Sequence, residues 1–547
     1  MKSLPFFFLI YIGLIGPLFP ATYYVSTSGD DTHVGSFSQP WASPGYGSKQ
    51  MSGGDTLIIL GGTYTLSVFW DDMITPPSGT TDQWTVIQGE TGNRPVLAGR
   101  DNLFSAIELS DKSNLIIANL EITSDNGAYF REGISASGYC EGIVLQNLYI
   151  HHMDEFGIDF QDVQDLIVED CNIQYCGFGA IGGPEGTAGG WRDATISGCN
   201  LSYSGHYYQG VIAPGVGPYD RPDGLGLEPS DGPLDILSCR AEHNRGDGLD
   251  SKIKNTTIRN CIVANNHCDG VKLWGDGSSV SNSLIYGTGD GDPTDSPWAA
   301  LVIDNVDDPG ATFNIVNTTI HQDPRKHGYI LYSQYDSSAP ITIHMQNTII
   351  AGGSGSAYFG PSVTLNLDHC LIHRENETVQ VEANGQQYTA QDLENGLLGP
   401  GNLSADPLFQ IPAWGTEGNY RLQSGSPAID AGTSEHALID TDLDSNPRLS
   451  GPEVDIGCYE FQAPTGVEKK STAIQAFPLI FHTDRNLLEI KSDYPGRLSV
   501  YNVLGQSVLN RQVEGNTAVS ICLPSGIYIA VLDAPEQRTI QRFTVIR

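Results

Sequence analysis

Three short segments of the chain open on Asp-Gly and then alternate: DGLGLE (223–228), DGLDSK (247–252) and DGVKLW (269–274). Their starts lie 24 and 22 residues apart. If each is a strand on successive coils of a solenoid, equivalent residues stack on one face, about 4.8 Å apart. Side chains alternate along a strand, so Leu225, Leu249 and Val271 point inward, as do Leu227, Ser251 and Leu273. The outward columns are then Gly226, Asp250 and Lys272, and Glu228, Lys252 and Trp274; Asp223, Asp247 and Asp269, which open the segments, are read as a further outward column. A column of carboxylates repels itself and favours a divalent cation. Hard oxygen ligands on a rigid face suit Ca²⁺, with Asp223, Asp247 and Asp250 as candidate ligands. Lys272 falls one rung beyond Asp250. Seven of the 28 Lys and Arg residues lie between 221 and 275, a local excess that points to an anionic ligand. One Asp-Gly is an ordinary turn opener. Three aligned copies with different outward residues ask for more than turn chemistry.

Such columns need a repeating scaffold, and one short pattern recurs through the middle of the chain. It reads as alternating apolar residues, then Asn or another small polar residue, then Cys, Thr, Ser or Leu and a further apolar residue. Examples are LIIANLEI (115–122), IVLQNLYI (143–150), TTIRNCIV (256–263) and FNIVNTTI (313–320). The Asn-like position falls at 119, 147, 170, 198, 238, 260, 282, 317, 347 and 369, with a smallest interval of 22. Period-2 alternation repeated at a fixed spacing predicts a parallel β-helix, with the longer intervals carrying inserted loops. Cys171, Cys199, Cys239, Cys261 and Cys370 share the next position and read as stacked core residues. Bridges between rungs stay open on spacing alone. His206, His243 and His267 read as loop or hydrogen-bonded structural residues. Tyr207, Tyr208 and Tyr219, in the long 199–238 insertion, are candidates for a groove wall.

Composition narrows the class. The 547 residues carry a net charge of −36, which disfavours nucleic acid and anionic lipid as partners. A hydrophobic content of 39% excludes wholesale disorder. Lys2 followed by the apolar run Phe6 to Phe19 predicts a signal peptide, residues 1–21, and no later stretch is apolar enough to span a membrane. Residues 22–462 are read as the β-helix: cap and opening coils at 22–113, core coils at about 114–372 and a closing segment at 397–462. In the last, alternating Asp440, Asp442 and Asp444 read as a solvated turn rather than a Ca²⁺ loop. A linker (463–471) leads to a separate all-β unit, 472–547. Its LSVYNVLGQSV (498–508), LPSGIYIAVL (523–532) and RFTVIR (542–547) resemble the C-terminal sorting domain of the type IX secretion system. That resemblance implies the secretion machinery as a partner and the Gram-negative outer surface, or the medium, as the location.

The Asp-Gly coils carry a second resemblance. Asp223-Gly224, Gly246-Asp247-Gly248-Leu249-Asp250 and Asp269-Gly270-Val271-Lys272-Leu273-Trp274-Gly275 resemble the motif of polysaccharide lyase family 9. The family implies an all-β fold, a right-handed parallel β-helix, here followed by a small C-terminal β-sandwich-like domain. It also implies cleavage of pectate-like polyuronides by β-elimination, with Ca²⁺ on Asp223, Asp247 and Asp250 and Lys272 as the base. Gly246 stands where the family has a further ligand Asp, Leu249 where it has Trp, and Trp274 where it has Gly. With an acidic polysaccharide as partner, Arg245 and Lys252 are candidates for holding a second uronate and Trp274 for stacking on a sugar. Ca²⁺ and Lys252 are expected to lower the Lys272 pKa. Two other readings stay open: a non-catalytic glycan-binding or adhesin β-helix, and a β-helix glycoside hydrolase using Asp247 and Asp250 as a carboxyl pair.

Overall fold

The computed structural model describes residues 20–462, apart from 185–189, 220, 293–298, 306–308, 326–327, 334–338, 354 and 436–439, together with strands between 479 and 545. Most of the expected signal peptide and the whole linker 463–471 lie outside the described residues. No described helix is long and apolar enough to cross a membrane. The chain divides into two compact units after Gln462.

The first unit is a parallel β-helix with three faces. One face is a 12-stranded parallel sheet running from Thr63–Leu66 to Leu371–Arg374. The other two join into one large sheet because Phe130–Gln146 and Phe156–Glu169 turn the corner without a break. Each coil rests on the one before in register, as in Ile258↔Val280 and Val263↔Ile285, both 22 residues apart. The interior is a set of aliphatic columns. Leu225, Leu249, Val271 and Leu301 form one, all with no exposure. Burying each such side chain contributes about 1.5–3 kcal/mol.

The recurrent Asn has a clear physical role. All ten positions named above have positive φ, between 48° and 64°. Each is a single left-handed residue that bends the chain from one face to the next, a conformation that Asn, Asp and Gly adopt at the least cost. At the following corner, bulkier residues take the same conformation: His152, Tyr175, Tyr203 and His243, with φ of 55–59°. Their rings form a stack with centroids 5.2, 4.9 and 5.2 Å apart and planes within 11° of parallel. That stacking offsets the backbone cost of placing large side chains there.

Three expectations are refined. The ladder begins at Thr22–Val25, which pairs in parallel with Thr56–Ile59, so coils run well ahead of the first Asn motif. The nine described cysteines are all free, which settles the question of bridges among them. The closing segment lies back along the 12-stranded sheet, where Phe409, Tyr420, Ile456 and Cys458 form a second core with Leu284, Tyr286 and Ile349. Asp442 is a buried turn organiser, its carboxylate accepting the N–H groups of Asp444, Asn446 and Glu460. Asp444 is paired with Arg421. The second unit comprises a three-stranded and a four-stranded antiparallel sheet.

The corner geometry is testable. Asn260→Ala should lower stability by about 1–2 kcal/mol, the cost of a left-handed β-carbon, and Asn260→Gly should lose less. Denaturant titration of the two variants beside the parent measures the difference.

Candidate functional site

The three Asp-Gly segments lie on one face with the registers read from sequence: Gly226↔Asp250↔Lys272, flanked by Leu225↔Leu249↔Val271 and Leu227↔Ser251↔Leu273. Close packing, and not a left-handed backbone, requires these glycines. A β-carbon on Gly224 would lie 2.7 Å from Asn244 Nδ2, one on Gly248 2.6 Å from Asn266 Nδ2, and one on Gly270 2.5 Å from the Ala300 carbonyl. Asn244 and Asn266 form a buried ladder beneath this corner, Asn244 Nδ2 donating to Asn266 Oδ1 at 2.9 Å. Glycine is required because the backbone passes so close to that ladder and to the next rung.

Each aspartate of the first column ties itself to the rung above. Asp223 Oδ1 accepts the Asp247 N–H at 2.6 Å, Asp247 Oδ1 that of Asp269 at 2.8 Å, and Asp269 Oδ1 that of Ala299 at 3.0 Å. These bonds hold the carboxylates at fixed heights. Asp223, Asp247 and Asp250 present ligand oxygens within 4.8 Å of one another. Asp247 and Asp250 are 2% and 6% exposed. Asp250 Oδ1 is buried with no hydrogen-bond partner among the described residues. Three close carboxylates, one of them with an orphaned oxygen, fit a hard divalent cation such as Ca²⁺.

Lys272 enters this cluster from one rung beyond. Its Nζ lies 2.6 Å from Asp247 Oδ2, 3.6 Å from Asp269 Oδ2 and 3.9 Å from Asp250 Oδ2. Burial works against its charge, but Asp247, Asp250 and Asp269 outweigh burial and hold its pKa well above the usual lysine value. Lys252 alone does not lower it, since three carboxylates within 4 Å dominate the ammonium. Burial pushes Asp223 well above the normal carboxylate range, reinforced by Asp247 and Asp250. Burial also raises Asp250 to about 6, against the pull of Lys252 and Lys272.

The third column assembles as well. Lys252 Nζ meets Glu228 Oε1 at 2.6 Å and lies 5.6 Å from the Trp274 ring centroid. Arg245 is not part of this group. Its guanidinium meets His267 Nδ1 at 3.1 Å and packs beside Gly205 and Gly215 of the insertion, with no ion pair to Asp223, Asp247 or Asp250. His243 is held by Asp290 at 2.9 Å, a structural contact. Tyr207 is buried and bonded to Ser124, so it is no groove wall; Tyr219 is half exposed and stands beside Phe178.

Gly246 is closed to a side chain. A β-carbon there would lie 2.1 Å from Asp223 Oδ1 and 2.8 Å from the carbonyl carbons of Arg221 and Pro222. The carboxylate of Asp223 occupies the space a residue at 246 would need.

Sequence reading missed Glu132 and Asp159, on the same face toward the N-terminus. Ser135, Asp159, Gly182 and Gly226 form one register column with Asp250, and Glu132 lies in the Asp223 column. Glu132 is 5% exposed, and burial, with Asp159 and Glu155 adding, raises its carboxyl to about 9. The three-residue spacing of Glu132 and Ser135, shared with Asp247 and Asp250, was the available signal, but no Asp-Gly marks that strand.

Comparison with known proteins agrees on architecture. Residues 23–283 match the family model described as Pel9A-like, right handed beta helix region. No curated protein matches the chain. XylC, solved in complex with xylose, superposes with a TM-score of 0.50 at 10% identity, over 96% of this chain and 100% of that one. Pectate lyase Pel9A gives 0.46 at 15% identity, over 81% of this chain and 96% of its own. The A-module of the Azotobacter vinelandii mannuronan C-5 epimerase AlgE4 gives 0.45 at 14%, over 66% and 93%. The chain thus has the right-handed parallel β-helix fold found among carbohydrate-active proteins.

Two measurements probe this geometry. Gly246→Asp should weaken Ca²⁺ binding, because the new side chain displaces Asp223; calorimetric titration would show the opposite if it supplied a ligand. Glu132 binds its proton more tightly folded than unfolded, so its contribution is fully present below about pH 4 and is lost as pH rises toward 9. Glu132→Gln should therefore melt above the parent at pH 8.5, with the gap shrinking toward pH 5.

Proposed function

We propose that residues 22–462 form a polysaccharide lyase that cleaves a uronate-containing, pectate-like polymer by β-elimination. The observation that carries this reading is the placement of Lys272 Nζ within 4 Å of three aspartates on one strand face. Asp223, Asp247 and Asp250 would hold Ca²⁺. When bound, the cation supplies charge that neutralises the substrate carboxylate, acidifies the proton at C5 and offsets the carboxylates that keep Lys272 protonated.

The chain's own groups account for the rest. Lys272 Nζ takes the C5 proton of the uronate. The C5–H electron pair becomes the C4–C5 double bond, the C4–O glycosidic bond breaks, and its electrons leave with the oxygen, which takes a proton from water. The rung beneath fixes the height of Nζ, because Asp250 and Lys272 are register partners. Lys252, braced by Glu228, sets a positive charge beside Asp250, at 3.7 Å. Trp274, the next member of that column, offers an apolar surface to a sugar ring. The same reading takes the enzyme out of the cell through the signal peptide 1–21, with 472–547 as an address for the type IX machinery.

Incubation of the mature protein with a panel of polyuronides, with Ca²⁺ and with chelator, tests the proposal. The unsaturated product should appear by ultraviolet absorbance only with Ca²⁺. Lys272→Ala should lower kcat by about 10²–10⁴-fold. New reducing ends without absorbance would mean hydrolysis, and neither signal would leave a glycan-binding β-helix.

A further inference from the structure

On the N-terminal side of the carboxylate cluster lies a cavity of about 120 Å³ that reaches Asp250 and Lys252. Its floor is bare, because Gly179, Gly183 and Gly226 line it. The outward residue on the intervening rung is Gly182, where a β-carbon would lie 2.9 Å from the Phe156 ring and 3.2 Å from Asp159 Oδ1. Its wall is aromatic: Phe178 and Tyr219, with centroids 5.3 Å apart, and Phe156, edge-on to Phe178 at 5.9 Å. Its charge is negative. Asp159, Asp223, Glu228 and Asp250 line it against one cation, Lys252, already engaged by Glu228 at 2.6 Å.

Building on the lyase reading, we infer that this cavity is a subsite for an uncharged sugar, so that the substrate is a polymer in which a neutral sugar adjoins the uronate. A flat floor and an aromatic wall accept the apolar face of a pyranose. Carboxylates such as Asp159, steadied by Gln161 Nε2 at 3.1 Å, accept hydrogen bonds from sugar hydroxyls. With Asp223 and Asp250 given to Ca²⁺, a second uronate here would still face Asp159 and Glu228, and the one ammonium among the described lining residues is already held by Glu228, a repulsion that works as a specificity device.

Binding rather than turnover tests this inference. Lys272→Ala, or Lys272→Arg should the alanine variant lack the native circular dichroism, is titrated calorimetrically in millimolar Ca²⁺. The probes are a hexasaccharide alternating galacturonate with rhamnose, one alternating glucuronate with rhamnose, and hexagalacturonate. At least one alternating probe should bind tenfold or more tightly than hexagalacturonate. Tyr219→Ala should abolish that preference, and Asp159→Lys should shift it toward hexagalacturonate. Equal or tighter binding of hexagalacturonate, a preference untouched by both substitutions, or no binding of any probe would overturn the inference. Failure of the lyase reading shows separately, as absence of unsaturated product when the parent protein meets the same probes.

Discussion

In-register stacking of coils is the constraint on which everything else in this molecule depends. A parallel ladder places each residue over its counterpart one rung below, about 4.8 Å away. In the interior, that rule turns a repeated Leu, Ile or Val into a continuous column. On the surface, it forces like beside like whether or not they attract. Asp223, Asp247 and Asp269 are neighbours because the backbone leaves them no other place. The chain answers the resulting repulsion with local devices: N–H donors from the next rung, and a lysine in the adjoining column.

That lysine is the counter-charge on which the face relies. With the carboxylates otherwise unbalanced, Lys272 is their counter-ion, and its proton is held firmly. Breaking such a buried pair from one side is costly, because the remaining charges lose their partner. In the proposed function, a divalent cation on the same carboxylates would relieve Lys272 of that duty. The amine that stabilises the resting face is therefore the group that the proposed chemistry sets free.

Much of this was legible from the sequence, for reasons particular residues make plain. The interval of 22 and strict alternation fixed which of Leu249, Asp250 and Ser251 faces inward, and so placed Lys272 beside Asp250. The Asn positions were visible as a repeat, although their left-handed backbone was not. Where Arg245 lies was not legible, because the sequence does not show which side of a corner a side chain leaves by; its guanidinium meets His267 beside the insertion. The barrier at Gly246 was invisible, since it depends on where Asp223 puts its oxygen. Glu132 escaped because burial, and not residue type, makes it unusual.

The closing segment has a bearing on how the chain is made. Its carbonyls at Thr416, Thr433 and Thr441 are met by Asn265, Asn347 and Asn282, partners 86 to 159 residues earlier in the chain. Those asparagines project from corners that exist only once several coils have stacked. The strap therefore has no template until the solenoid is largely built, whereas each coil needs only the one before it. Assembly of this unit is ordered by its own geometry: the coils come first, and the last stretch of the unit is laid over a finished surface.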